Sequence, residues 1–336
     1  MKAKIMPAYK KERRLLKEML PISTPWRLTI SAAQVCNFKC FFCTHSLDRE
    51  AVEKTGFMFK NMTFEQFRQF ADQLKAFNEP IKLVVFSGMG EPLLNKDLPK
   101  MIAYLKENRL AERIEMYSNG SLLTKEWVHN LIDAGLTGFK LSLEGLDEEV
   151  YLRNCGYKLD MEQFLDNIQY LYDNRKNCEI YIKIIDACMK DGEEEKFYRM
   201  FGNMCDHIFI EHLSDCQPLT GDCDGRVDLA RTMYNEPAKN CKVCSMLFYS
   251  LYVDADFNIY PCVTLGLPTH FSIGNTRNES IYDIWNGEKL KKLRIDHLEG
   301  RRSDIDVCKD CGNIICMYHK EDDLDDARAD LLSKYR

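Results

Sequence analysis

The sequence predicts an α/β protein: a parallel sheet covered by helices, with a second, smaller unit behind it. Three observations carry this. Six short apolar or β-branched segments alternate with amphipathic helical patterns. The alternation weakens near Gly221. Cysteines then recur in a group from residue 241 onward.

The six candidate strands are 27–32, 81–87, 113–118, 138–143, 179–186 and 207–213, several ending at Gly, Ser or Asn. Between them, Phe64, Phe67, Phe70, Ala71 and Leu74 repeat at helical spacing behind a Thr63 cap. Leu98, Ile102 and Leu105 do the same, as do Phe164, Ile168 and Leu171. Strands joined through helices run parallel. An open doubly wound sheet and a curved partial barrel both fit this pattern. Either gathers functional residues at the C-terminal strand ends. A turn-rich linker at 218–225 precedes the second unit, which has β-like runs at 249–253 and 258–261 and a helix around 281–293. The first twenty residues read as a short amphipathic helix with Leu15, Leu16 and Leu20 on one face.

Bulk properties exclude several classes. The net charge of −6 and the acidic run EDDLDDARAD argue against a general nucleic-acid grip. Apolar runs such as 83–86 and 208–210 are too short to span a bilayer. The start has no apolar core of a secretory signal, so a reducing, cytoplasmic setting is expected. There, grouped cysteines bind metal or catalyse. The 15 cysteines are too few for a disulfide scaffold and too clustered for scattered packing.

The first group reads Cys36-Asn-Phe-Lys-Cys40-Phe-Phe-Cys43, directly after the first strand. Three thiolates on a compact loop suit three irons of a [4Fe–4S] cube and leave the fourth open to a small molecule. Structural zinc prefers four ligands and two-residue spacers. Other chemistry-bearing segments fall at strand ends: Ser87-Gly88-Met89-Gly90-Glu91-Pro92, Ser118-Asn119-Gly120, and Lys140-Leu-Ser142-Leu-Glu144. Strand alternation sets Ser142 and Glu144 on one face and Phe139, Leu141 and Leu143 on the other. Tyr181 and Lys183 likewise oppose Ile180, Ile182 and Ile184, and Glu115, Tyr117 and Asn119 share a face. Cys155 reads as a buried thiol.

C-x3-C-x2-C after the first strand, with these segments in this order, resembles the radical S-adenosylmethionine (radical SAM) superfamily. The resemblance covers about residues 27–320 and implies a partial (β/α)6 TIM-like barrel. It implies a cluster on Cys36, Cys40 and Cys43 whose open iron chelates S-adenosylmethionine, and reductive cleavage to a 5′-deoxyadenosyl radical that abstracts a substrate hydrogen. It implies cofactor contacts from Phe42, Gly88, Gly90, Glu91, Pro92, Ser118, Asn119, Ser142 and Glu144, with Ile210 or His212 flanking the adenine. Met89 departs from the family's Gly-Gly-Glu-Pro turn, and Glu144 stands where Asp is more familiar.

Downstream, Cys244, Cys262, Cys308 and Cys311 make a closed set of four ligands, enough for a second [4Fe–4S] cluster or for zinc. Cys241 and Cys316 are alternates, for exchange into that set or for a second auxiliary cluster. The segment between resembles the SPASM/twitch extension, which gives a small C-terminal cluster-binding domain in its shorter, one-cluster form. The expected organisation is an N-terminal helix (1–26), the barrel (27–225), the auxiliary domain (240–320) and an acidic tail (321–336).

The resemblance implies an external one-electron reductant such as flavodoxin or ferredoxin. The leading expectation is an oxidoreductase, or an epimerase with Cys316 returning a hydrogen atom, acting on a small polar substrate such as a sugar or aminocyclitol. An auxiliary cluster accepting the second electron favours oxidation, and the short stretch before residue 27 favours a small substrate over a led peptide. A peptide-modifying maturase and a cyclase of the molybdopterin-pathway type are the alternatives; the absence of a terminal Gly-Gly speaks against the latter. An iron–sulfur scaffold or carrier is the non-enzyme reading; it has no use for the Gly-Glu-Pro turn.

Overall fold

The computed structural model describes residues 1–8, 13–213, 227–264 and 266–336. The expected linker at 218–225, with Gly221, lies outside the described residues.

The strands are β1 (Lys4–Ile5), β2 (Arg27–Ile30), β3 (Ile81–Phe86), β4 (Ala111–Ser118), β5 (Gly138–Leu143), β6 (Glu179–Ile185), β7 (His207–Glu211), β8 (Ser250–Val253), β9 (Asn258–Tyr260) and β10 (Gly274–Asn275). They form one sheet in the order β1-β7-β6-β5-β4-β3-β2-β8-β9-β10. Every pairing from β1 across to β8 is parallel, and β9 and β10 are antiparallel additions. The strands β2 to β7 sit in chain order with helices between them, as a partial (β/α)6 barrel requires, and the sheet is not closed.

Alternation decides which face each strand buries. On β5, Phe139, Leu141 and Leu143 lie in the main core, while Lys140 and Ser142 are half-buried on the inner face. On β6, Ile180, Ile182 and Ile184 repeat this against Lys183. Each such burial contributes about 1.5–3 kcal/mol. The helices complete the outer layer. Phe64–Gln73 starts at a reciprocal cap between Thr63 and Gln66 and buries Phe67, Phe70 and Ala71. Lys125–Ala134 starts at Thr124 and stops at Gly135, whose φ of 97° favours glycine. Leu98–Glu107 and Met161–Asn174 bury the apolar residues expected of them.

The C-terminal unit is hydrogen-bonded into the main sheet. Strand β8 pairs with β2, Thr29 opposite Tyr252. The Ser31 N–H donates to the Val253 carbonyl at 2.9 Å. The Ala255 N–H donates to the Gln34 side chain. The approach to the first cysteine loop is thus anchored from both units.

Two terminal expectations need correction. The N-terminal stretch is not one amphipathic helix. Residues Lys4–Ile5 pair with β7, and among the described residues of the stretch only Leu16–Met19 is helical. Leu16 and Leu20 are buried, but Leu15 is exposed. The C-terminal stretch is not a free acidic tail. Leu324 and Leu331 are fully buried, and helix Arg328–Tyr335 packs on Glu288–Leu298. Leu16, Leu20, Leu324 and Leu331 share one small core with Val243, Leu247, Phe248 and Leu298. An Arg13–Asp322 ion pair ties the two ends together. Two or three buried leucines per segment outweigh the surrounding charge.

Candidate functional site

The loop after β2 carries Cys36, Cys40 and Cys43, with Cys40 buried and the others half-buried. Backbone bonds set its shape: Phe38 N–H to Cys36 Sγ at 3.4 Å, Cys43 N–H to the Cys40 carbonyl at 2.8 Å, and Lys39 N–H to the Cys155 carbonyl at 2.8 Å. Burial pushes the Cys36 thiol up to about 12, and charge on Glu91, Cys43 and Glu144 adds to it. Buried thiols facing one another hold their thiolate form only beside a cationic core, which a cluster supplies.

The turn after β3 closes on this loop. Gly90 lies against backbone: a Cβ there would meet the Ala33 carbonyl at 2.4 Å and the Val35 carbonyl at 2.7 Å. Gly88 has φ of 139°. The Glu91 N–H donates to the Val35 carbonyl at 2.9 Å, and Pro92 opens the short helix Pro92–Leu94. The Glu91 carboxylate is buried and accepts from the Ser118 hydroxyl at 2.7 Å, the Leu93 N–H at 3.0 Å and the Asn119 N–H at 2.8 Å. Burial raises its pKa against those three donors. Asn119 Nδ2 reaches Asn37 Oδ1 at 3.0 Å, inside the cysteine loop. The structure therefore brings Glu91, Ser118 and Asn119 together, with Glu91 and Ser118 bracing the turn rather than projecting from it. Met89, the family departure, turns inward, within 3.3 Å of Thr44 Oγ1, and its carbonyl meets His45 Nε2 at 2.9 Å.

At the end of β5, Ser142 is half-buried on the inner face, opposite Lys183. Glu144 is buried with Oε2 3.6 Å from Cys188 Sγ. Burial raises the Glu144 carboxyl to about 7, opposed by Cys188, Lys183 and Cys40. Phe42, Ser87 and His212 line a cavity of about 250 Å³ at the C-terminal strand ends, with Arg27, Tyr117, Lys183 and Glu211. Lys183 and Glu211 form an ion pair inside it, and Lys140 pairs with Glu115 at 2.7 Å deeper down. His212 Nδ1 lies 2.6 Å from Asp186 Oδ2. Ile210 packs against the main core and is not among the residues lining this cavity, whereas His212, the other residue expected beside the adenine, lines it.

The second cysteine set converges. Cys244, Cys262, Cys308 and Cys311 line one apolar pocket with Leu267, Phe271 and Val307. All four are free thiols. Burial raises Cys308 to about 12 and Cys262 to about 11, and the neighbouring thiols add to both. Four thiols converging on one pocket make a ligand set for a [4Fe–4S] cube, and equally for zinc. Orphaned buried polar atoms surround the pocket, His297 Nε2 and Asn313 Oδ1. The residues fit the cluster. Cys241 stands apart from this pocket, beside Asp323 and Asp325. Cys316 is fully buried, and its carbonyl accepts from the Met233 N–H at 2.9 Å.

Sequence reasoning missed Glu211, Thr264, His297 and Asn313. Asn313 lines both the inner cavity and the four-cysteine pocket, and its Nδ2 donates to Thr264 Oγ1 at 2.6 Å. None has a local motif; only the tertiary fold brings them to the cysteines.

Comparison with known proteins agrees with this geometry. The radical SAM superfamily profile matches residues 30–192, and the SPASM profile, an iron–sulfur cluster-binding domain, matches 244–312. The GTP 3′,8-cyclase of Campylobacter lari is 29% identical over 170 residues, 51% of this chain and 49% of that protein. The chain thus spans about half the length of that relative. The solved structure of BtrN in complex with AdoMet and 2-DOIA is similar at 18% identity, covering 86% of this chain and 93% of that one, with a TM-score of 0.54. Streptococcus suis SuiB bound to precursor peptide SuiA is similar at 17% identity, 82% and 67% coverage, and a TM-score of 0.61. These structural likenesses show a shared fold. No helix among the described residues is long and apolar enough to cross a membrane. With the barrel, the loop and the pocket in place, the chain belongs to the radical SAM superfamily, carries a SPASM-type auxiliary domain, and works with S-adenosylmethionine and [4Fe–4S] clusters.

Proposed function

We propose that this enzyme oxidises a small polar substrate, of the sugar or aminocyclitol kind, in the cavity above β6 and β7. The observation that carries the reading is Asn313, a wall shared by that cavity and the four-cysteine pocket. A substrate in the cavity then lies one side chain from a group able to take its second electron. In this reading Cys36, Cys40 and Cys43 hold the catalytic cluster, and Cys244, Cys262, Cys308 and Cys311 the auxiliary one. When bound, the first cluster and S-adenosylmethionine supply a 5′-deoxyadenosyl radical for hydrogen abstraction.

The chain's own residues orient and enclose. Glu91 holds the turn at Gly88–Pro92 against the cysteine loop through Ser118 and Asn119, leaving turn backbone to meet the methionine end of the cofactor. Phe42 and His212 line the cavity walls. Arg27, Lys183, Glu211 and Tyr117 give it a polar, ionised lining that suits hydroxyl and amino groups. A second reading, cyclisation of a nucleotide, draws on the GTP 3′,8-cyclase likeness and on Arg27, a cavity-lining cation whose Nε donates to Thr29 at 3.3 Å. SuiB, in complex with a precursor peptide, motivates a peptide substrate.

One experiment separates these. The doubly loaded enzyme is incubated anaerobically with S-adenosylmethionine, a reductant, and a panel of monosaccharides, aminocyclitols, GTP and short peptides. The proposal expects an aminocyclitol or sugar to stimulate 5′-deoxyadenosine release and to yield a product two hydrogens lighter. Stimulation by GTP or a peptide alone, or a product of unchanged mass, would overturn it.

A further inference from the structure

His297 sits on helix Glu288–Leu298 and is fully buried. Its Nδ1 accepts a hydrogen bond from the Cys244 backbone N–H at 3.1 Å. A neutral imidazole that accepts at Nδ1 carries its proton at Nε2. That Nε2 is enclosed and has no partner among the described residues. Native proteins leave few buried N–H groups without an acceptor.

His297 lines the four-cysteine pocket. The other donors there are engaged. Arg302 donates from Nη1 to the Cys308 carbonyl at 3.1 Å and from Nη2 to Asn240 Oδ1 at 2.9 Å. Asn313 donates to Thr264, whose own hydroxyl is hydrogen-bonded to the Cys262 and Cys311 side chains. The His297 N–H is left without a partner, in an apolar pocket whose acceptors are the four cysteine sulfurs and the likewise unpartnered Asn313 Oδ1.

We propose that His297 donates its Nε2–H to a sulfur of the auxiliary cluster and raises that cluster's reduction potential. The inference rests on the reading of Cys244, Cys262, Cys308 and Cys311 as the ligands of that cluster. The physical cause is direct. An N–H aimed at sulfur stabilises the extra negative charge of the reduced cluster, so reduction becomes easier. The effect is large in an apolar pocket, where little else screens the charge. His297 is a positioning residue: it acts on the cluster, and through it on how readily an electron leaves the substrate.

The test uses the full chain with both clusters loaded. His297→Phe keeps the ring and removes the donor. In a redox titration followed by electron paramagnetic resonance, the auxiliary midpoint is expected to move to more negative potential, with the first cluster's midpoint and the iron content unchanged. An unmoved auxiliary midpoint at full iron content overturns the inference. Pulsed resonance on unsubstituted protein labelled with 15N-histidine is the second measurement. A nitrogen coupling to the reduced auxiliary cluster is expected, and its absence overturns the inference even where His297→Phe fails to assemble the cluster. About eight irons per chain, for two cubes, must be present in either measurement; about four would overturn the four-cysteine reading and this inference with it, whereas eight with no coupling would overturn this inference alone.

Discussion

The Ser118 hydroxyl donates to Glu91 Oε1 at 2.7 Å, linking the end of β4 to the turn after β3 beneath the cysteine loop. The same carboxylate takes the Leu93 and Asn119 N–H groups. Glu91→Ala would leave three buried donors without acceptors. Each orphaned donor costs about 1–3 kcal/mol, with partial relief from relaxation and water. The variant is expected to lose about 2–4 kcal/mol of stability. Glu91→Gln keeps one acceptor oxygen and is expected to lose less. Anaerobic urea denaturation of the loaded protein measures both.

Gly90 makes a sharper case. An added methyl would meet two carbonyl oxygens of the 33–35 backbone, and backbone does not swing aside as a side-chain end does. Gly90→Ala is expected to push the turn away from the cysteine loop. The measurement is iron content after reconstitution, together with binding of S-adenosylmethionine. Normal iron with normal binding would mean that the turn has room the packing does not show.

The sheet was legible because its residues alternate. Phe139, Leu141 and Leu143 bury one face of β5 while Lys140 and Ser142 keep the other polar, and a run of six residues is enough to show it. The cysteine loop and the Gly90 turn were legible because close backbone approach demands glycine and clusters demand thiols. The termini were not. Two residues of β1 carry no period, and Leu324 and the pair Leu331–Leu332 stand in a run dominated by charge. His297 and Asn313 had no local signal, since their partners Cys244 and Thr264 lie 53 and 49 residues away in the chain.

Lys183 and Glu211 pair inside the cavity, the carboxylate almost wholly buried. Burial alone would lower the Lys183 ammonium; Glu211 and Tyr117 outweigh it and raise it to about 12. The pair's contribution is therefore fully present below the unfolded lysine value of about 10.4 and is lost only as pH rises through about 12. Lys183→Met leaves an unpaired buried carboxylate and is expected to lose about 3–5 kcal/mol. The double variant Lys183→Met, Glu211→Leu is expected to recover much of that stability. A double-mutant cycle by denaturation measures the coupling, and simple additivity would exclude it.

Two buried histidines predict an acid sensitivity of the fold. Burial lowers His319 to about 4, with the Arg13 charge adding to it, and lowers His297 to about 4, with Arg302 adding. A depressed folded value means that the neutral form stabilises the fold. That contribution is complete above the unfolded value of about 6.5 and fades as pH falls toward 4. Going from pH 7.5 to 5.5, each histidine is expected to withdraw about 1–1.5 kcal/mol. His319→Phe keeps a ring against Tyr234, now 5.4 Å away centroid to centroid, and should flatten part of the slope. Denaturation midpoints of both proteins across that range read it directly, and identical slopes would assign the sensitivity elsewhere.

The cysteines give the widest test. If the loop and the pocket each hold a cube, the intact chain should bind about eight irons, and any alanine at Cys244, Cys262, Cys308 or Cys311 should bring this toward four. Those variants should still cleave S-adenosylmethionine, since the first loop is fastened to β8 and to the Gly90 turn independently of the pocket. The triple replacement of Cys36, Cys40 and Cys43 should do the reverse, abolishing 5′-deoxyadenosine while leaving about four irons. Cys241→Ala should leave the iron count unchanged, because Cys241 lies outside the four-cysteine pocket, beside Asp323 and Asp325. Iron and sulfide assays with product chromatography separate the three patterns. Loss of four irons in Cys241→Ala would move one ligand of the auxiliary cluster to Cys241 and remove one of the four assigned cysteines.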